Sequence, residues 1–555
     1  MTGAPAGPAA GQARARARPD SGAGLGAGAG AEEQEYGDVL DLVRSACLRS
    51  PDLPALIFED GVVVTRSQLW EEARSFAGYL AERVAPGDRV AIVMGTRAEF
   101  MITWLAVIMS RAVLVGLNPA VRSHDAGHIL RDSAARIAVV GPEQEQLVRD
   151  LQPDCPGLQE IVVCSGAEPS GLAAYRGTPP ADQAPGRPPE AAQDATNVYY
   201  TSGTTGPPKG CIVDHEYWTR FAELIASMYG IGSGDRMLCC LQFFYNDPPW
   251  QLLVALQAET TLVVMRRFSV SRYWPVVRDH KVTVLFGIAS TASLLLKAPP
   301  SDLDRQHQVR LAIHVGIPAP LHAELVERWG VPWIEAYGLT ETGVIAGTPV
   351  DRAGEMIGTG SIGLPCPGAD VRILDAEGAE VPADQPGEIA VRAPGLMRGY
   401  LNRPDATEEA FRGNWLHTGD LGRQDEDGWL YFLGRMKDII RRSGENIAAA
   451  EVENVLRSHP KVLEVAAVPA PDELRGEEVK VHVLLTDGET PESVPPGELI
   501  LFGEARLARY KVPRYVEYRA ADFERTPSMR VKKDGLDRSA DDPGRVWDRV
   551  SSLGW

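Results

Sequence analysis

From about Leu42 to Val140 the chain alternates short apolar runs with longer helical stretches. Arg89-Val90-Ala91-Ile92-Val93-Met94, Ala112-Val113-Leu114-Val115-Gly116 and Ile137-Ala138-Val139-Val140 read as strands, and strand–helix–strand order predicts α/β layers on parallel sheets. The most apolar region, 101–117, is interrupted by Ser110 and Arg111 and stops at Asn118-Pro119. It falls short of the roughly 18 unbroken apolar residues of a membrane span, so a buried helix followed by a strand is expected. Residues 169–193, rich in Pro, Gly, Ala and Gln, predict a long surface connection, after which Asn197-Val198-Tyr199-Tyr200 runs on as a strand. A second α/β layer is predicted around 261–265 and 282–286, and β-structure around 370–374 and 387–391, where alternation is bounded by Gly, Pro and Asp. Beyond Arg435-Met436-Lys437-Asp438 the pattern changes to a helix at 447–456, strands at 462–468 and 478–485, and a helix at 497–509, which suit a small α+β domain.

At 555 residues the chain exceeds what one hydrophobic core serves. The predicted division is a disordered Gly/Ala/Arg-rich tail over 1–37, a large domain over 38–436 and a small one over 437–555. Hydrophobic content of 44% and charged content of 24% describe an ordinary globular protein. A net charge of −19 argues against a nucleic-acid partner without excluding an anionic substrate, since the field at a pocket is local. The tail has no apolar segment of signal-peptide type, and the seven cysteines form no C-x-x-C pair, so reduced thiols in the cytoplasm are expected.

The densest chemistry lies in Tyr200-Thr201-Ser202-Gly203-Thr204-Thr205-Gly206-Pro207-Pro208-Lys209-Gly210. Glycines let backbone N–H groups close on an anion, the hydroxyls add donors and Lys209 adds a mobile charge, so the segment reads as a phosphate-holding loop. It is not the common P-loop, in which Gly directly precedes Lys. Gly358-Thr359-Gly360-Ser361-Ile362-Gly363 spells a dinucleotide fingerprint, but Pro365 and Pro367 forbid the helix that fingerprint needs.

The first loop resembles the signature of the adenylate-forming superfamily, which includes acyl-CoA synthetases, luciferase-like enzymes and peptide-synthetase adenylation domains. Ala336-Tyr337-Gly338-Leu339-Thr340-Glu341-Thr342 is similar to that family's Y-G-x-T-E segment, Gly316-Ile317-Pro318 to its G-A-P turn, and Thr418-Gly419-Asp420 to its T-G-D. The resemblance implies an α/β fold: a large N-terminal domain of layered subdomains with a β-rich subdomain, and a small mobile C-terminal domain. It also implies ATP as substrate, with Thr201 and Ser202 to Gly206 around the phosphates, Tyr337 against adenine, Thr340 at the α-phosphate and Glu341 as the Mg²⁺ ligand. Asp420 falls to the ribose hydroxyls, Arg435 to ribose and phosphate with Phe432 just ahead of it, and Lys437 to a hinge. The activity implied is attack of a carboxylate on the α-phosphorus, with pyrophosphate leaving and the protein neutralising charge in line.

The second acceptor implied is coenzyme A, since Ser443, Gly444 and Glu445, together with the segment around Arg475, resemble the acyl-CoA synthetase form of the small domain. An amine, a carrier-protein thiol or a small nitrogen nucleophile such as nitrite are the alternatives, and a catalytically weak nucleotide-binding relative is another. Two departures stand out. Arg530 occupies the position of the family's adenylating lysine, so Arg530, the favoured reading, takes that role, or nearby Lys532 or Lys533 reaches in, or this half-reaction depends less on the small domain. Leu241-Gln242-Phe243-Phe244-Tyr245-Asn246-Asp247-Pro248 replaces the usual P-L-F-H, with Tyr245 at the His position. Tyr245, Asn246 and Asp247 are therefore the candidate acid-pocket residues, and stacked rings beside an Asn suggest a flat aromatic acid. The partners expected are a small carboxylic acid, ATP and CoA, with no nucleic acid or membrane span; an oligomer is left open.

Overall fold

Apart from Arg89 at the start, strands Arg89–Val93, Val113–Leu117 and Ile137–Val140 carry no polar side chain, because both faces of their sheet are covered. Val90, Ile92, Leu114 and Val139 point into the main core, and Ala91, Val93, Val115 and Val140 into a second core behind it. The computed structural model describes residues 36–179, 194–201, 208–443, 445–525, 531–540, 542 and 544–553. Almost all of the predicted tail, the loop residues Ser202, Gly203, Thr204, Thr205 and Gly206, and also Gly444 and Arg530, lie outside the described residues.

The first sheet has the order Gly399–Tyr400, Lys209–Asp214, Ala195–Thr201, Val113–Leu117, Arg89–Val93, Ile137–Val140, Glu160–Val163. Its five inner-to-outer strands from Ala195–Thr201 onward are parallel, and the other two pair antiparallel. The second sheet runs parallel through Pro54–Phe58, Thr261–Val264, Arg236–Cys239, Val284–Ile288, Leu311–Val315 and Trp333–Leu339. It continues antiparallel through Gly343–Gly347, Ser361–Pro365, Leu430–Arg435, Trp415–Gln424, Gly387–Arg392 and Asp370–Leu374. The strand where the sheet changes character, Trp333–Leu339, carries Ala336, Tyr337 and Gly338. The decoy glycine motif enters strand Ser361–Pro365 and no helix, as its prolines require.

Every residue of helix Ala98–Met109 is buried, which explains the apolar stretch. Its Trp104 meets Trp218 at 5.4 Å between ring centroids and its Phe100 meets Phe243 at 6.0 Å. Among the described residues no helix is long and apolar enough to cross a membrane. The expected surface connection at 169–193 is largely exposed in its described part but anchored: Gly171 N–H donates to buried Glu99 at 2.9 Å, Leu172 is buried, and Gly177 packs backbone to backbone on Gly78.

A six-stranded sheet spans Ile439–Arg442 to Val546–Asp548, with its own core of Ile440, Val452, Leu456, Val481 and Val516. The helix expected at 447–456 starts at Ala449, because Glu445–Ala448 pairs as a strand with Ile439–Arg442. The one expected at 497–509 is Pro496–Glu504, followed by a short turn at Arg509–Lys511.

Candidate active site

Strands Ala195–Thr201 and Lys209–Asp214 form a hairpin in which Thr201 lies opposite Lys209, so the glycine-rich loop is closed between two paired strands. Thr201 Oγ1 donates to Glu341 Oε1 at 3.4 Å and Tyr400 Oη donates to the same oxygen at 3.0 Å. Lys209 Nζ stands 5.3 Å from the centre of the Tyr400 ring, a cation–π separation. Three segments distant in sequence thus meet at one carboxylate. Burial and the neighbouring Glu341 charge push the Tyr400 phenol well above its ordinary range, so it remains a donor. Tyr400 is absent from the candidates read in the sequence, because its two-residue strand leaves no periodic signal.

Thr340 and Glu341 occupy the turn between Trp333–Leu339 and Gly343–Gly347. The turn is tied by Thr342 Oγ1, which accepts from Leu339 N–H at 2.9 Å and donates to Gly343 O at 2.7 Å. Gly338 sits at a bulge, and a Cβ there would be driven into the Gly343 carbonyl. Among the described residues no three or more His, Cys, Asp or Glu side chains converge. A single carboxylate, Glu341, with both hydrogen bonds on Oε1, suits an ion that takes its other ligands from phosphate and water, as Mg²⁺ does.

Across from this turn, Tyr337 Oη donates to Asp420 Oδ2 at 2.7 Å, and Arg435 Nε lies 2.8 Å from Asp420 Oδ1. Asp420 is 1% exposed, and its register partner across the sheet is Arg435. The Phe432 ring lies 6.2 Å from that of Tyr337. Two carboxylates missed in the sequence hold the surrounding turns. Glu388 accepts from Gly419 N–H at 3.0 Å and pairs with His417 at 2.7 Å, fixing Thr418-Gly419-Asp420. Glu335 accepts from Gly316 N–H and, at 2.6 Å, from Ile317 N–H, so the Gly316-Ile317-Pro318 turn is pinned to the Tyr337 strand. Burial pushes the Glu335 carboxyl up to about 8 against the opposing pull of those two N–H donors.

In the candidate acid pocket, the Tyr245 and Phe244 rings lie 4.1 Å apart, and Asn246 Nδ2 donates to Tyr217 Oη at 3.1 Å. The amide expected to meet a substrate ring is thus oriented by Tyr217 through one of its two N–H groups. Asp247 begins helix Asp247–Gln257. Lys437 lies in the one-turn helix Met436–Asp438 between the last strand of the large sheet and the first of the small one. Ser443 adopts φ +52° in a tight turn and donates its N–H to Arg475 O at 2.8 Å; Arg475 Nη1 pairs with Glu478 at 3.2 Å, and Glu445 opens the returning strand. Of the alternatives to Arg530, Lys533 is held at 2.6 Å from Glu453 and 3.6 Å from Asp438, inside the small domain, whereas Lys532 is exposed.

The family model for "AMP-binding enzyme" matches residues 43–401 and that for "AMP-binding enzyme C-terminal domain" matches 451–530. This chain belongs to the AMP-binding enzymes. Crotonobetaine/carnitine–CoA ligase of Citrobacter koseri is 32% identical over 501 residues, covering 87% of this chain and 95% of the relative. The protein of that name from Salmonella typhi is 31% identical over 507 residues, with 87% and 96% coverage. Among solved structures, ATP-bound MatB from Rhodopseudomonas palustris superposes with a TM-score of 0.78 at 26% identity, over 89% of this chain and 97% of the other. The o-succinylbenzoate CoA synthetase MenE from Bacillus subtilis, with its acyl-adenylate, gives 0.75 at 28% identity, over 89% and 97%. As an AMP-binding enzyme the chain is an ATP-dependent adenylate-forming ligase of the acyl-CoA ligase type.

Proposed function

We propose that this enzyme joins a small carboxylic acid to coenzyme A, through an acyl-adenylate formed with release of pyrophosphate. The observation that carries the reading is the meeting of Thr201 and Tyr400 at one Glu341 oxygen, with Lys209 over the Tyr400 ring. The acid and ATP are both anions, so the attack requires charge to be neutralised and the reactants aligned. Lys209 supplies a cation at the phosphate end, Thr340 a hydroxyl at the α-phosphate, and loop N–H groups the rest. Glu341 would hold Mg²⁺, which would offset the negative charge of the phosphates. Tyr337, the Gly316-Ile317-Pro318 turn, Asp420 and Arg435 form the nucleoside end, and Arg530 adds a cation from the small domain over 437–555, which pivots at Lys437. Ser443, Gly444, Glu445 and Arg475 face CoA after that pivot.

The ring-rich segment at 243–250 supports an acid that presents a flat or cationic surface. Asn246 gives one amide N–H to Tyr217, which leaves its second N–H and its carbonyl oxygen for a ring substituent. The acids named for the relatives, crotonobetaine and carnitine, carry a quaternary ammonium, which makes that class the natural competitor to an aromatic acid. Pyrophosphate release measured over a panel of acids, with and without CoA, tests the reading. Release should require acid, thioester should form only with CoA, and Lys209→Ala or Glu341→Ala should each remove release. Full activity of either variant, or consumption of adenylate by an amine but not by CoA, would overturn it.

A further inference from the structure

Within 239–250 only Gln242, Tyr245, Asn246 and Asp247 keep partial exposure; the rest is buried. Asp247 is the sole ionisable carboxylate of this stretch, and its position at a helix start would ordinarily be accounted for by first-turn N–H groups. Here that account is thin: of the first-turn N–H groups, its own acts on the carboxylate. The two residues that follow are Pro248 and Pro249, which have no N–H to give. The side-chain donor that reaches it is Trp250 Nε1, 3.4 Å from Oδ1. Among the described residues no Lys, Arg or His acts on its ionisation, and burial pushes the carboxyl up to about 6.

What surrounds this carboxylate is aromatic. Its charge acts on the hydroxyls of Tyr199, Tyr217 and Tyr245, and Trp250 donates to it directly. Tyr217 is within electrostatic reach of both Asp247 and Glu341, which ties these rings to the turn proposed to meet the reacting phosphate. A poorly solvated carboxylate without a counter-ion is costly, and a neutral flat acid would leave that cost in place. A cationic nitrogen would remove it and would also gain from the face of Tyr245, the ring of this set that keeps partial exposure, the combination by which proteins recognise quaternary ammonium groups.

The geometry points to Asp247, with Tyr217, Tyr245 and Trp250 about it, as the specificity-determining group of the acid pocket, selecting a carboxylic acid that carries a cationic nitrogen, a quaternary ammonium above all. This inference rests on the acid–CoA ligase reading and adds the class of the acid. The substrate's carboxylate would lie toward Thr340 and Glu341 and its ammonium toward Asp247.

The test compares 4-(trimethylammonio)butanoate with its uncharged carbon isostere, 5,5-dimethylhexanoate, and does the same for shorter and longer homologous pairs. In the wild-type enzyme, kcat/KM for pyrophosphate release should favour the ammonium acid at least about tenfold in one or more pairs. Asp247→Asn should bring that ratio near one, mainly by raising KM for the cation, while Asp247→Glu should retain part of it. Calorimetric binding of the same acids to wild type and Asp247→Asn gives a readout that does not require turnover. The inference is overturned if the wild type uses or binds every isostere as well as its cationic partner, or if Asp247→Asn leaves the ratio unchanged. Should the Asn variant fail to fold, the wild-type ratio decides alone. Release with uncharged acids together with CoA thioester formation would sink this inference and leave the ligase reading intact. Tight binding of the ammonium acids without any thioester would do the reverse.

Discussion

Glu335→Gln separates two opposing effects on one buried carboxyl. Its two N–H partners, from Gly316 and Ile317, favour the charged form, while burial favours the neutral one, and burial prevails with the group near 8 against an ordinary 4.5. A carboxyl raised in the folded state stabilises the fold most below its unfolded value, and that contribution is lost as pH climbs from about 4.5 to about 8. Integrated over that window, wild type should lose about 3 kcal/mol between pH 6 and pH 9 through this group alone. Glutamine has the same shape and no titration. It accepts one of the two N–H groups and leaves the other unpaired, a cost of about 1–3 kcal/mol that is independent of pH. The gap between the two proteins should therefore narrow by about 3 kcal/mol from pH 6 to pH 9, or roughly 3–4 °C in paired melting curves for a body of ~400 residues. Parallel pH curves for wild type and Glu335→Gln would show that the N–H donors keep the carboxylate ionised throughout, and would refute the reasoning.

Gly338→Ala drives a methyl group into the Gly343 carbonyl at a bulge; adenylation measured by pyrophosphate release should fall by at least about 100-fold, about 2.7 kcal/mol of barrier. Tyr400→Phe keeps the ring beside Lys209 and removes the hydrogen bond to Glu341; kcat for release should drop about tenfold, the worth of one hydrogen bond to a charged group. Glu388→Gln weakens the hold on Gly419 and His417; KM for ATP should rise several-fold while kcat changes less, as read from initial rates over an ATP series.

Much of the architecture was legible because the apolar runs are short and bounded, so the strands at 89–93, 137–140 and 370–374 fall where periodicity places them. The loop proposed to hold phosphate is legible as composition, and the structure adds only its frame, the pairing of Thr201 with Lys209. What escaped are side chains whose partners lie in other strands. Glu388 serves Gly419 and Glu335 serves Gly316, and a period of two tells which face a residue takes but not what stands opposite. Lys532 and Lys533 could not be told apart in sequence, since consecutive residues of an extended segment point opposite ways; Lys533 is the one turned inward. The helix at 447–456 was placed early because the alanines at 448–450 favour helix, whereas strand pairing claims 445–448.

The Lys533 clip bears on where a swivel can sit. Its ammonium grips Asp438 at one end of the small sheet and Glu453 on the helix behind it, so those three groups travel as one piece. With the pivot proposed at Lys437, torsion reorienting the small domain would be confined upstream of Asp438, to the backbone of Met436 and Lys437. Such an axle would be two residues long, with the bolt on the first residue of the turning side.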